Sequence, residues 1–316
     1  MFLSIIFNKR KWIKIGAGIF LLLLLLPIFF LFSRIKFWDH QDQGAISSAE
    51  KAAADQEDLR EQAALLVLLY HHLDENEDHW GPYAIPPRQF EYDLQYLVKN
   101  NYEAVTLKEI IDFVYHQGKL PAKPVLITFD DGYESNYVYA WPLLKKYNMK
   151  AVINIIGILS DQESAASDHN VSYSYLTWDQ IIEMQESGIV EFGNHTYDLH
   201  SKNRTIQGIR KKKTESIKEY QQRLMEDLEL TQKKLMTACG SPALCFAFPL
   251  GIQEEHALPI LDELGFQVTL CSHQIYNELI RNQDCLRPLG RFNRAAGINT
   301  VDFFARIEKN LPVINE

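Results

Sequence analysis

From Leu65 onward, short apolar runs alternate with longer amphipathic stretches, and this alternation narrows the fold more than any other feature of the chain. Leu65–Tyr70, Val125–Phe129, Ala151–Ile156, Ile189–Phe192, Leu244–Phe248 and Gln267–Cys271 read as buried strands. Between them, Phe90–Lys99, Leu107–His116, Ser135–Lys146, Trp178–Ser187, Ile217–Met236 and Glu254–Leu264 place apolar residues at helical spacing. Thr106-Leu107-Lys108-Glu109 and Thr177-Trp178-Asp179 supply helix starts. Asp161–Ser174 is polar and irregular and reads as an exposed loop. Strand–helix alternation over this length predicts parallel α/β structure, and both an open sheet and a barrel fit the count. In either form chemistry gathers where strands end. Four groups obey that rule: Tyr70-His71-His72, Asp130-Asp131, His195 and Pro249-Leu250-Gly251.

The first 63 residues have a different character. Lys9, Arg10, Lys11 and Lys14 precede an uncharged run, Ile15–Phe32, close to the ~20 residues that cross a bilayer. The heavier positive charge before the run predicts a cytoplasmic N-terminus and an extracytoplasmic remainder. A cleaved signal peptide is the rival, but the run is long for one and no Ala-x-Ala site follows. The expected organisation is a basic segment and transmembrane helix over 1–36, a stalk rich in Ala, Gln, Asp and Glu over 37–63, and a catalytic domain over 64–316. Hydrophobic residues make up 47% of the 316, enough for a sizeable core. With net charge −9, Arg210-Lys211-Lys212-Lys213 is the one basic cluster of the second half, which reads as a solvated loop or helix start and leaves nucleic-acid binding without support. Cys239, Cys245, Cys271 and Cys285 lack C-x-x-C spacing, which argues against a cysteine zinc site. A Cys239–Cys245 disulfide across the short loop and buried free thiols both remain open.

Thr128-Phe129-Asp130-Asp131-Gly132 closes one strand with two carboxylates and a residue that permits a sharp turn. His195-Thr196-Tyr197-Asp198-Leu199-His200 supplies two imidazoles at a spacing that no helix face would share. Neighbouring aspartates on extended backbone point in different directions, so one can ligate a metal while the other holds an attacking water. Asp198 and Thr196 are placed to fix the turn or the outer nitrogens of the imidazoles. Two His and one Asp, with an open position and a base nearby, are the donor set of a hydrolytic metal centre; Zn²⁺, Co²⁺ and Ni²⁺ all suit it.

Thr128–Gly132 resembles the first motif of the polysaccharide deacetylase (NodB-like) family of carbohydrate esterases, and His195–His200 resembles its histidine-pair motif. Phe246-Ala247-Phe248-Pro249-Leu250-Gly251 is similar to its third motif. Tyr70-His71-His72, with the particular forms of the second and third motifs, resembles the branch that de-N-acetylates poly-β-1,6-N-acetylglucosamine. The resemblance spans most of 65–310. It implies a distorted (β/α) barrel of about seven strands and one divalent ion, Zn²⁺ foremost, on Asp131, His195 and His200. It further implies Asp130 as catalytic base and the main-chain N–H of Leu250 as oxyanion donor. The chain lacks both the third-motif Arg and the late catalytic His of commoner members. The branch resemblance puts the general acid at His71, with His72 facing elsewhere. Arg287 and Arg291 are alternatives for a charge pair to Asp130, or surface residues. Tyr133, Tyr197, Trp178 and Phe248 are candidates for a sugar-stacking groove.

The implied function is removal of N-acetyl groups from a poly-β-1,6-GlcNAc-like polysaccharide outside the membrane, in a cell-wall or biofilm setting. Peptidoglycan GlcNAc deacetylation and O-acetyl xylan esterase activity use the same centre and are the alternatives. From another class, a membrane-tethered glycan-binding protein with a spent site, or an assembly scaffold, would bind without turnover.

Overall fold

Ala63–Tyr70 carries no charged side chain, and from Leu65 on it is buried on both faces as strand β1. A strand of this kind belongs in the middle of a sheet covered on each side. The computed structural model describes residues 62–200 and 208–309, all within the unit Glu61–Glu316. The basic segment, the apolar run and nearly all of the stalk expected over 1–63 lie outside the described residues. Among the described residues no helix is long and apolar enough to cross a membrane.

After β1 come β2 (His72–Leu73), β3 (Ala84–Ile85), α1 (Pro87–Lys99), β4 (Glu103–Ala104), α2 (Leu107–Tyr115) and β5 (Pro124–Phe129). A π-helical turn, Asn136–Ala140, leads into α3 (Trp141–Tyr147), followed by β6 (Ala151–Ile155), α4 (Gly157–Ala165), α5 (Trp178–Glu186) and β7 (Val190–Asn194). The chain continues through α6 (Ile217–Cys239), β8 (Cys245–Ala247), α7 (Leu258–Glu263), β9 (Val268–Leu270), β10 (Asn277–Leu279), β11 (Phe292–Asn293) and α8 (Thr300–Glu308). Capping boxes start three helices, at Thr106/Glu109, Thr177/Gln180 and Ser216/Glu219. Each box satisfies backbone N–H groups that the helix itself cannot.

The sheet runs β10-β1-β5-β6-β7-β8-β9, with β4 beside β5 and β11 beside β1. All pairs are parallel except β1 with β10. The two ends of the curled sheet are joined by one extended segment. Leu289 bonds Thr269 and Cys271 of the β9 end, and three residues on Phe292 lies beside Leu68 of β1. The open-sheet alternative therefore gives way to a distorted barrel, closed by Leu289–Arg294 rather than by a further strand–helix unit.

Alternation along the strands sorts side chains to two sides. Leu66, Leu68, Val125, Ile127, Ala151, Ile153, Val190 and Phe192 pack in one cluster with apolar residues of α1, α3, α5 and α6. Leu65, Val67, Leu126, Val152, Cys245, Ala247, Val268 and Leu270 form the other, into which α2 packs. Each such large aliphatic side chain contributes about 1.5–3 kcal/mol on burial. The second parity continues toward the strands' carboxyl ends as Thr128, Asp130, Asn154 and His195, all buried. The catalytic candidates thus sit on top of an apolar plug.

One expectation is corrected and one open alternative is decided. The segment Asp161–Ser174 is not all loop: α4 covers its start. Only Gly157 and Ser160 are buried along that helix, so it shows no apolar stripe, and its start is fixed by bonds from Gly157 N to Thr196 O (3.0 Å) and from Ile158 N to Tyr197 O (3.0 Å). The Cys239–Cys245 disulfide is not formed; all four cysteines are free. Cys245 faces the barrel interior on β8, whereas Cys239 ends α6.

Candidate active site

β5 carries Asp130 to the barrel rim, where it is 3% exposed. A carboxylate there is costly unless paired and hydrogen-bonded. Arg291 meets it with two bonds, Nη1 to Oδ1 (2.8 Å) and Nη2 to Oδ2 (2.7 Å), and is itself anchored by Nε to Cys271 O (2.9 Å). Asn154 adds a third donor, Nδ2 to Oδ1 (2.8 Å). Burial pushes the Asp130 pKa up, but the Arg291 charge and bonds outweigh it and hold the carboxyl well below the usual range. Asp130 is ionised at neutral pH. Of the two arginines weighed from sequence, Arg291 makes the pair; Arg287 lies on the outside, bonded to Asp262 and to the carbonyls of Phe266 and Gln267.

The next residue leaves the strand pattern. Asp131 has φ 71°, in the left-handed region, and Gly132 follows at φ 72°. The turn aims the Asp131 carboxylate at the histidines. Its Oδ1 lies 3.6 Å from His195 Nε2 and 3.5 Å from His200 Nε2. One ligand atom from each residue lies within 4.8 Å of the others. Tetrahedral ligands at zinc distances stand about 3.3 Å apart, so Asp131 already lies near ligand spacing from both rings, and the two imidazoles would draw together around a small divalent ion. His195 Nδ1 faces Ala247 O at 2.8 Å, which places the proton there and leaves Nε2 as a lone-pair donor. Burial, opposed by Asp130, lowers the His195 pKa to about 3, so the ring is neutral as ligation requires.

Why two histidines five apart converge is settled by the turn between them. Thr196 has φ 77°, a strained value for a β-branched residue. Its N–H bonds Asn194 Oδ1 (2.8 Å), and Asn194 Nδ2 bonds Leu228 O of α6 (3.0 Å). Asp227 of α6 accepts the next two amides, Tyr197 N–H (2.8 Å) and Asp198 N–H (2.9 Å). Asp198 thus enters the turn through its main chain. Asp227 stands to the loop as an outer partner stands to a metal ligand. Asp227→Ala is expected to weaken metal binding on the order of 10–100-fold, read by competition with a chromophoric chelator; unchanged affinity would remove Asp227 from the site.

His71 follows β1, and Asn136 Nδ2 bonds its carbonyl (2.9 Å). Its ring packs edge-on against Tyr83 at 4.9 Å. Its Nδ1 is buried and has no hydrogen-bond partner among the described residues. Burial lowers its pKa, against the pull of Asp131 and Asp130, the carboxylates that face it. An orphaned imidazole nitrogen beside the carboxylate pair is available to a ligand. His72 is occupied elsewhere, with Ser135 Oγ at 2.9 Å and Asp74 Oδ2 at 3.2 Å.

The remaining sequence candidates divide. The Tyr133 ring lies 4.9 Å from that of Tyr175 and 4.7 Å from that of His72, and burial, then Asp131, raises its pKa. Leu250 follows β8 with φ 58° and an exposed side chain, while the Gly251 and Ile252 amides close back on Phe248 O and Pro249 O. Phe248 does not line a sugar groove: its ring is in the core against Phe246 at 5.2 Å, because it keeps the outward parity of its strand. Tyr197 and Trp178 both bond Asp161, at 2.8 and 2.9 Å. Asn154 and Asp227 were not singled out from sequence. Asn154 had a signal, a lone amide in the apolar run Ala151–Ile155 with the parity of Asp130; Asp227 is one acid among many on α6.

Residues 117–269 match the family described as polysaccharide deacetylase. The chain is 29% identical over 187 residues to a poly-β-1,6-N-acetyl-D-glucosamine N-deacetylase of Staphylococcus aureus, a match covering 58% of this chain and 60% of that relative's length. In structure it is similar to a de-N-acetylase from Aggregatibacter actinomycetemcomitans, with TM-score 0.65, 26% identity, and 78% of this chain and 100% of that one covered. It is also similar to IcaB from Ammonifex degensii, with TM-score 0.62, 26% identity, and coverage of 78% and 96%.

Proposed function

We propose that this chain, whose residues 117–269 match the polysaccharide deacetylase family, is a metal-dependent de-N-acetylase of a poly-β-1,6-N-acetylglucosamine-like polymer, acting outside the membrane. The observation that carries this reading is the convergence of Asp131, His195 and His200, with Asp130 ionised beside them. The named activity of the Staphylococcus aureus relative supports the choice of polymer.

Asp131, His195 and His200 would hold a divalent ion, which when bound would supply Lewis acidity toward the acetyl carbonyl and lower the pKa of water. Asp130 orients the attacking water and takes its proton. The Leu250 N–H hydrogen-bonds the oxygen of the tetrahedral intermediate, a contact worth about 3–4 kcal/mol where such donors have been removed. His71, whose protonated form Asp131 and Asp130 favour against the effect of burial, is the group that would hand a proton to the departing amine. The Tyr83 ring packs edge-on against that imidazole. The products are acetate and a polymer with free amines. Residues 15–32 anchor the domain in the same reading, which a protease-accessibility assay on intact cells checks.

Acetate release from poly-β-1,6-GlcNAc, N-acetylated peptidoglycan and acetylxylan tests the proposal. Turnover is expected on the first, lost with chelator and restored by Zn²⁺, and absent in Asp131→Ala. Activity that survives both metal stripping and Asp131→Ala would sink it, and turnover confined to acetylxylan would reassign the substrate.

A further inference from the structure

Asp130 is held by more than the arginine. Each oxygen of a carboxylate has about two lone-pair sites. On Oδ1 both are filled, by Arg291 Nη1 (2.8 Å) and Asn154 Nδ2 (2.8 Å). On Oδ2, among the described residues, only Arg291 Nη2 (2.7 Å) bonds, and this oxygen lies 4.0 Å from His195 Nε2. The two oxygens are therefore not equivalent: Oδ2 keeps a site and faces the candidate metal ligands.

Asn154 is fully buried, and its own orientation is imposed. Nδ2 also lies 3.3 Å from Phe129 O, and Oδ1 lies 3.3 Å from Cys245 Sγ. Burial raises the Cys245 pKa, so the thiol stays protonated and donates. A flipped amide would set an oxygen against the Asp130 carboxylate and an NH₂ against the S–H, which loses both contacts. The neighbouring strand makes room: a Cβ on Gly193 would stand 2.0 Å from Asn154 Oδ1 and 2.5 Å from Cys245 Sγ. Three adjacent strands thus spend an amide, a thiol and a glycine on one oxygen of one carboxylate.

We infer that Asn154 is a positioning residue that fills Oδ1 of Asp130 and so makes Oδ2 the basic oxygen, with Cys245 Sγ–H fixing the direction of the Asn154 amide. The inference rests on Asp130 being the base. In the step concerned, a water O–H breaks and its proton goes to Oδ2, while the water oxygen bonds the acetyl carbon and the C=O π pair moves onto the carbonyl oxygen. Filling Oδ1 leaves that proton one destination.

The test is steady-state deacetylation by the full chain, with metal content and thermal unfolding measured on each variant. Asn154→Leu and Asn154→Ala are expected to lower kcat about 10–100-fold, the scale of a misplaced catalytic group, with KM within threefold and metal content unchanged. Cys245→Ala, which lets the amide turn, is expected to lower kcat about 3–10-fold, and Cys245→Ser, which keeps the donor, to restore it. The Cys245 pair decides the matter if the Asn154 variants do not fold. Folded, metal-loaded Asn154 variants with kcat within threefold of wild type overturn the inference, as do equal rates for Cys245→Ala and Cys245→Ser. A rise in KM with kcat unchanged also overturns it. Asp130→Asn separates the two levels: if it turns over within tenfold of wild type the base assignment itself fails, and if it is inactive while Asn154→Leu is not, only the role of Asn154 fails.

Discussion

Asp130→Asn is expected to lower kcat by about 10²–10⁴, the range that a positioned general base contributes, with KM and metal content near wild type. The amide keeps the shape of the carboxylate, but it leaves the buried Arg291 without its counter-charge and with one acceptor fewer, so some loss of stability is expected and kcat is read on folded, metal-loaded protein. What is lost is the negative charge and the acceptor for the water's proton. The comparison that matters is with Asp131→Ala, which should lose the metal as well. Metal content read beside kcat therefore distinguishes base from ligand: Asp130→Asn is inactive and loaded, Asp131→Ala inactive and empty. If both variants are empty, Asp130 is also a ligand and the division between the two carboxylates is wrong.

Arg291→Met is expected to destabilise the domain by about 3–5 kcal/mol, the cost of leaving one partner of a buried ion pair alone, and to abolish turnover. Both groups are almost wholly buried, at 1% and 3% exposure, so water cannot replace the guanidinium. The pH dependence should invert as well. In the wild-type protein the folded Asp130 pKa lies below the unfolded value of about 3.9. Its stabilisation is present above pH 4 and is lost as pH falls through the folded pKa. In the variant the strongest influence opposing burial is gone, and burial is expected to raise the folded pKa above the unfolded one. Stability from this site should then be greatest below pH 4 and fall as pH rises through the new value. Urea midpoints at pH 3.5 and pH 7 check the sign. A variant as stable as wild type at pH 7 would mean that Asp130 is wetter than the structure has it.

The six strands are legible in the chain because they are buried on both faces and hence uniformly apolar, as in Leu65–Tyr70 and Ala151–Ile155. Their predicted bounds differ from the observed ones by about two residues at most. β10 and β11 were not legible. Asn277–Leu279 and Phe292–Asn293 are short and mixed in character, and they become strands only because β1 offers them unpaired backbone. α4 was missed for a related reason: its first amides are fixed by the histidine loop, a partner far along the chain.

The same division runs through the site. Asp130, Asp131, His195 and His200 stand out in sequence because their residue types carry the chemistry and each pair is local. Local sequence also signals the turn at Gly132, and in the fold it is this turn, with Asp131 at φ 71°, rather than strand alternation, that aims the two aspartates differently. It could not say that Arg291 rather than Arg287 pairs with Asp130. The two are four residues apart on irregular chain, and the choice depends on how Leu289–Arg294 crosses from β9 to β1. Nor could it place Asn154 and Asp227, whose partners lie 24 and 29 or 30 positions away. Read alone, the chain singled out the residue types fit for hydrolytic chemistry and the strands that carry them, because side-chain type and periodicity are local. Closure of the barrel decided which buried partners set their charge, direction and proton state, because burial and pairing exist only once distant segments meet.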